Sequence, residues 1–316
     1  METLPQFTDI ISAHHRIKIH IHNTPVLQSR LINQICGCSV FFKCENFQKA
    51  GAFKYRGATN AILQLSENQA KNGVATHSSG NHAGALALAA SLQGIKAHIV
   101  MPQNAPEIKK QAVLAYGAEI TFCEPTLEAR EKTLELVVDK TGATEIHPYN
   151  NFNVICGQGT ATLELLDKYP DLDFIIAPVG GGGLLSGTAL AASGISKNIT
   201  VIGAEPEGAN DALKSFRSGQ IYPSVNPNTI CDGLLTALGT MTFSIIQKKV
   251  NDILTVNDTQ ITLAMQLIFE RLKIVIEPSS AITLAVVLAN KNVFKNKNIG
   301  IILSGGNVDL RNLPFH

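Results

Sequence analysis

Apolar residues fall along this chain in two alternating textures. Short apolar runs at 74–77, 97–101, 119–123 and 144–147 are separated by longer stretches, 82–93, 106–116 and 127–140, in which apolar positions recur every three or four residues. The runs suit strands and the longer stretches suit helices, so the alternation predicts a compact βα repeat. A second series follows, with a helix at 160–168, a strand at 174–179, a helix at 184–192, a strand at 199–205 and further strands near 253–256 and 299–303. Such alternation implies mostly parallel sheets covered by helices. The expected class is therefore α/β with two open, mostly parallel sheets flanked by helices. A strand at 39–44 and a helix after Lys54 precede the first series. Residues 73–150 thus read as a small mobile αβ domain inserted into a larger one formed by 1–72 and 151–316.

Charge narrows the class of partner. The 316 residues carry 26 basic and 25 acidic side chains, so no global field draws the chain to nucleic acid or to an anionic membrane. A small neutral or zwitterionic substrate fits better. The N-terminal stretch lacks the basic start and apolar core of a signal peptide, and no apolar run is long enough to span a bilayer, which predicts a soluble, cytoplasmic protein. Six scattered cysteines, most in apolar stretches, are expected to be free thiols. Cys36 and Cys38 lack the second pair that a thiolate metal site needs.

Four consecutive glycines, Gly180, Gly181, Gly182 and Gly183, stand between the apolar run 174–179 and the helix-forming stretch that begins at Leu184. Glycine costs roughly 0.5 to 1 kcal/mol relative to alanine in a regular element, so four cost about 2 to 4 kcal/mol that function should offset. A strand, a glycine loop and a helix N-terminus aim bare N–H groups and the helix dipole at one point, which suits a phosphate. Neither glycine frame closes the dinucleotide G-x-G-x-x-G pattern, despite the tempting Glu205, because the sixth positions are Leu185 and Ser186. No Walker sequence occurs either. A cofactor with one phosphate remains. Lys54, in the glycine-bracketed segment Gln-Lys-Ala-Gly-Ala-Phe-Lys-Tyr-Arg-Gly at 48–57, can lose solvation, drop its pKa and form a Schiff base. Together they point to pyridoxal 5′-phosphate (PLP).

Two further loops lie at strand ends. His77-Ser78-Ser79-Gly80-Asn81-His82 gathers N–H and hydroxyl donors at a helix start, either to hold a carboxylate or simply to cap the helix through Ser79 or Asn81. Leu303-Ser304-Gly305-Gly306-Asn307 places Ser304 at the carboxyl edge of the last strand, where ligands of open α/β sheets bind.

These motifs, with Ala204-Glu205-Pro206, Asp232-Gly233 and Glu277-Pro278, resemble over nearly the whole chain the fold-type II PLP enzymes of the serine/threonine dehydratase and serine racemase group, which share a tryptophan synthase β-like fold. One departure is Ala52, where the family often has serine. The resemblance implies that Lys54 carries the cofactor as a Schiff base, with Phe53 and Gly233 on the two faces of its ring. It gives Asn81 the ring's 3′ oxygen, Gly180 to Gly183 with Leu184 the phosphate, and Ser304 the pyridine nitrogen, with Glu277 also in the cofactor site. Ser78, Ser79, Asn81 and His82 would face the substrate. Arg130 and Thr236 would approach its distal end, where arginine accepts a β-carboxylate unless it is only a solvated helix charge.

The implied chemistry is removal of the α-proton by Lys54 and loss of the β-hydroxyl, converting serine to pyruvate or threonine to 2-oxobutanoate with release of ammonia. Ser79, as a base on the opposite face, would make a serine racemase instead. A 3-hydroxyaspartate ammonia-lyase and a non-catalytic PLP or amino-acid binding protein stay open. Glu205, the Ala209 carbonyl and Asp211 match the group's site for Mg²⁺, Mn²⁺ or Ca²⁺. The resemblance also implies a homodimer. A nucleotide effector is disfavoured, since Lys49, Tyr116 and Asn307 match its site but Ala50 and Gly84 do not. His14, His15, His20 and His22 have no role in the family and are expected to serve surface or packing.

Overall fold

The computed structural model describes residues 3–105 and 107–315, so Pro106, the expected first residue of the helix at 106–116, lies outside the described residues. Among the described residues ten strands form: β1 Val26–Leu27, β2 Ser39–Cys44, β3 Val74–His77, β4 Ala97–Pro102, β5 Glu119–Cys123, β6 Thr144–Glu145, β7 Phe174–Pro178, β8 Thr200–Pro206, β9 Asp252–Val256 and β10 Asn298–Leu303. They make a six-stranded sheet in the order β1-β2-β10-β7-β8-β9 and a four-stranded sheet in the order β5-β4-β3-β6. Every pairing is parallel except β1 with β2. The larger sheet draws on both ends of the chain, because β10 lies in register along all of β2, from Asn298 opposite Ser39 to Leu303 opposite Cys44.

The strands buried almost throughout include central ones. β4 is buried along its whole length, and β10 and β8 at all but their first residue. With both faces covered by helices, no polar face is left for period-two alternation to mark. The helix Pro278–Ala289 is similarly buried over ten residues and packs beneath the six-stranded sheet. Its near-continuous apolar sequence carries little helical periodicity, which hides it from a reading based on period.

Most expected elements form within three residues of their expected bounds, and two differences bear on the site. The strand at 144–147 pairs only through Thr144 and Glu145, and the chain turns after Ile146 donates to Ala75. The helix expected at 160–168 begins at Phe152, where the Asn151 side chain accepts from the Val154 N–H as an N-cap. Gly157 and Gly159 argue against a helix in sequence, yet they are there for contact. A Cβ on Gly187, in the helix Gly183–Ile195, would lie 2.6 Å from the Gly159 nitrogen. A Cβ on Gly157 would lie equally close to the Arg56 carbonyl, at 2.6 Å. Three helices, including Lys54–Ile62, therefore meet backbone against backbone.

That junction sits over a buried charge network. The Arg56 guanidinium donates to both oxygens of Glu45 at 2.6 and 2.9 Å and to both of Glu164 at 2.8 and 2.7 Å. Lys43 also reaches Glu164, at 2.6 Å. Two cations and two carboxylates balance in the interior, as burial requires.

Candidate active site

Lys54 occupies the first turn of its helix, just after a crossing between the two ends of the chain. Ala52 bridges Gly305, and the Phe53 N–H donates to the Ser304 carbonyl at 2.9 Å. The lysine loop is thus pinned to the carboxyl end of β10. Phe53 lies beside the lysine, its ring centre 5.2 Å from Nζ. The ammonium donates to the Pro148 carbonyl at 2.7 Å. Burial draws the Lys54 pKa down from 10.5 to about 8, against an opposing pull from Glu277. A lysine so placed is a nucleophile and base near neutral pH.

Ser304 is buried at the end of β10, 3.0 Å from the Ser280 hydroxyl, which itself donates to the Gly305 carbonyl at 2.7 Å. Glu277 is buried at the start of the helix Pro278–Ala289, and its pKa is raised by burial and by Asp232. Its carboxyl oxygens accept from the Asn81 amide at 2.8 and 3.1 Å, and Asn307 donates to the Asn81 oxygen at 2.9 Å. This chain ties the 77–82 loop to the 303–307 loop. Ser78 accepts from the Gly80 N–H at 3.2 Å, so it shapes the loop that carries Ser79. His82 is buried, its Nε2 2.9 Å from the Ile146 carbonyl, and burial with the nearby Lys54 charge drops its pKa to about 3.

The four glycines are all buried. Gly182 takes φ +88° at the N-cap of the helix Gly183–Ile195, where no side chain caps the free N–H groups. Gly180 packs on Gly233 and Leu234, and Gly233 donates to Ser279 at 3.1 Å. The Tyr149 ring covers the loop so closely that a Cβ on Gly181 would fall 2.2 Å from it. Burial raises the Tyr149 pKa, and the nearby Thr236 side chain opposes that shift. The His77 pKa is lowered by burial and, secondarily, by Arg130 in the helix Leu127–Thr141, whose Nε is buried without a hydrogen-bond partner.

Lys54, Phe53, Asn81, His82, Glu277 and Ser304 are joined by these contacts, and Gly233 adjoins the glycine loop. Glu205 and Asp211 lie apart from them. Glu205, at the end of β8, accepts from the Ala212 and Leu213 N–H groups at 2.7 and 2.8 Å, and burial raises its pKa to about 8. Asp211 is raised to about 6, again mainly by burial, and its buried Oδ2 has no hydrogen-bond partner. Ala209 is buried between them in a short turn. Asn307, from the disfavoured nucleotide set, donates to the Ala50 carbonyl at 2.8 Å, and the Lys49 ammonium lies 5.8 Å from the Tyr55 ring centre. All six cysteines are free and buried. Among the histidines without a family role, His22 contacts the Phe47 carbonyl at 3.0 Å and His14 is half-buried.

His147, Tyr149 and Lys109 escaped the sequence reading. Lys109, on the helix Glu107–Ala115, forms an ion pair with Asp232, beside Gly233. The Asp232-Gly233 motif marked the aspartate but not its partner, 123 residues away. His147 carried only the signal of a histidine ending an apolar run.

A desolvated lysine and an uncapped helix N-terminus, both at the carboxyl edge of the six-stranded sheet, define with the 77–82 loop of the smaller sheet a pyridoxal-phosphate enzyme of fold type II. Residues 17–305 match the family described as pyridoxal-phosphate dependent enzyme, and the chain belongs to that family. It is 49% identical over 313 residues to the β-hydroxyaspartate dehydratase of Paracoccus denitrificans, with 99% of each chain covered. It is 46% identical over 309 residues to the L-threo-3-hydroxyaspartate ammonia-lyase of Saccharomyces cerevisiae, covering 98% of this chain and 95% of that one. The crystal structure of serine racemase from Dictyostelium discoideum superposes with a TM-score of 0.93 at 49% identity, over 97% of this chain and 99% of that one. These relatives are lyases and racemases, and the protein is a PLP-dependent enzyme.

Proposed function

We propose that the chain is an ammonia-lyase that converts a 3-hydroxy amino acid to a 2-oxo acid and ammonia, with 3-hydroxyaspartate favoured over serine and threonine. The residues present fit the cofactor. The buried N–H groups at Gly182 and Gly183 suit its phosphate, the Ser304 hydroxyl its ring nitrogen and Lys54 its aldehyde carbon, while the Asn81 amide would turn from Glu277 to reach its 3′ oxygen. When bound, PLP supplies an electron sink for the α-carbon.

The side chains of this protein do the rest. Lys54 is depressed enough to take the α-proton as a neutral amine and to return it. Asn81, held by Glu277 and Asn307, keeps the 77–82 loop against the site while its N–H groups orient the substrate carboxylate. The neutral Ser304 hydroxyl does not force a charge on the ring, which favours elimination over transamination.

The observation that carries the substrate preference is Arg130. A buried guanidinium nitrogen without a partner, within electrostatic reach of His77, calls for an anion, and the distal carboxylate of 3-hydroxyaspartate supplies one. Two of the relatives bear hydroxyaspartate-lyase names, in keeping with this reading. The test is a timed assay on serine, threonine and 3-hydroxyaspartate that measures 2-oxo acid, ammonia and D-amino acid together. Arg130→Ala should cost kcat/KM for 3-hydroxyaspartate about tenfold to a hundredfold, the worth of a charge-assisted hydrogen bond, and change serine turnover little. Equal losses on both substrates would remove the preference. D-amino acid formed faster than oxo acid would shift the protein to a racemase with Ser79 as second base.

A further inference from the structure

The segment between β6 and the helix Phe152–Lys168 does more than connect them. His147 accepts, through Nδ1, hydrogen bonds from the N–H groups of Tyr149 at 3.3 Å and Asn150 at 2.9 Å. Both donors are fixed as donors, so Nδ1 bears the lone pair and the ring is the Nε2-protonated tautomer. This is the pattern of an Asx-turn, in which a side-chain oxygen accepts from the backbone two and three residues on. A histidine performs it here because Nδ1 stands the same number of bonds from Cα as an asparagine Oδ1.

Each residue of the turn is then committed to a different wall of the site. The Pro148 carbonyl, inside the turn, accepts from Lys54 at 2.7 Å. The Tyr149 ring meets that of His147 edge to face at 4.5 Å and lies over Gly181. Asn150 accepts from the Met241 N–H at 2.9 Å and donates to Thr240 at 3.2 Å, holding the helix Thr240–Lys249. That helix in turn grips the glycine loop, since Thr242 donates to the Gly181 carbonyl at 2.8 Å.

We infer that His147 is a positioning residue whose Nδ1 folds the 147–150 turn, so that the Pro148 carbonyl holds the free Lys54 amine in register with the glycine loop. The inference rests on the reading of Lys54 as the cofactor-bearing lysine. A four-carbon side chain with an unpinned end would otherwise sample many rotamers whenever it is not bonded to the cofactor.

Three substitutions isolate the acceptor atom. His147→Leu puts a methyl where Nδ1 stands, His147→Asn restores an acceptor at that bond distance, and His147→Gln moves it one bond further. Cofactor-free protein is mixed with PLP, and the visible band of the lysine-bound cofactor is followed at fixed pH, alongside thermal melting of the cofactor-free variants. His147→Leu should slow capture about tenfold, the worth of one to two backbone hydrogen bonds, with His147→Asn close to wild type and His147→Gln between them. Capture at the wild-type rate by His147→Leu, or equally slow capture by Leu and Asn, overturns the inference. If His147→Leu does not fold, the Asn and Gln variants decide, and equal rates for those two overturn it. Lys54→Ala is the control. If wild-type protein forms no band, or Lys54→Ala forms the same one, it is the assignment of Lys54 that fails.

Discussion

Lys54 is most of the chemistry available at the scale of single residues, and its burial sets the working pH. The neutral amine acts as base in the substrate complex, so kcat should rise with pH up to about 8 and level off above it, in place of a rise continuing to the ordinary lysine value of 10.5. A pH–rate profile still climbing at pH 10 would show that burial does not govern the amine. The same shift acts on the fold. Between about 8 and 10.5 the unfolded chain binds more protons at this lysine than the folded one, so its contribution to stability rises with pH across that window. The lysine was legible in sequence because glycines and apolar neighbours bracket it. His147 was not, because its role lies in which backbone groups its ring meets, and a turn of this kind is normally announced by asparagine, aspartate or serine.

Between elements, close approach and a single ion pair do the positioning. Gly187→Ala would drive a Cβ to 2.6 Å from the Gly159 backbone, and backbone cannot rotate away as a side chain can. Overpacking of this kind costs about 1 to 3 kcal/mol, so the midpoint of chemical denaturation should fall accordingly while the active-site residues stay untouched. Lys109 and Asp232 link the helix over the four-stranded sheet to the turn beside the glycine loop. The aspartate is half exposed, and exposed pairs contribute about 0 to 1 kcal/mol, so Lys109→Ala should leave the melting temperature nearly unchanged. Its effect should appear as a several-fold rise in KM, on the order of that same 1 kcal/mol, if the pair helps bring the two sides together. An unchanged KM would reduce it to an ordinary surface contact. Strands 74–77, 119–123 and 39–44 were readable from the runs alone. The glycines in the helix Phe152–Lys168 misled, since conformational freedom and the need for close contact both select the same residue.

At the scale of the whole molecule, a second cluster of buried oxygen donors lies apart from the PLP site. We propose that Glu205, the Ala209 carbonyl and Asp211 hold a divalent cation, since the buried Asp211 Oδ2 has no hydrogen-bond partner and a positive ion would relieve the burial that raises both carboxyls. Millimolar Mg²⁺, Mn²⁺ or Ca²⁺ should raise the melting temperature by a few degrees, as expected for a ligand present at tens of times its Kd. Asp211→Asn should abolish the increment. No increment with any of the three ions would leave the carboxyls as structural caps of the helix Asp211–Ser218. At this scale the α/β class and the two parallel sheets were legible from the alternation of runs, whereas the order of strands was not, because pairing partners such as β2 and β10 are remote in sequence.

That remoteness has a consequence during synthesis. β10 is the last strand to be translated, yet it fills the middle of the larger sheet, between β2 and β7, and its far end receives the lysine loop through Phe53 and Ser304. The four-stranded sheet can form from β3 to β6 alone, but the wall that meets the Lys54 loop is missing until β10 has been made. A chain cut short before β10 should therefore lack both the middle of the larger sheet and the anchor of the lysine loop.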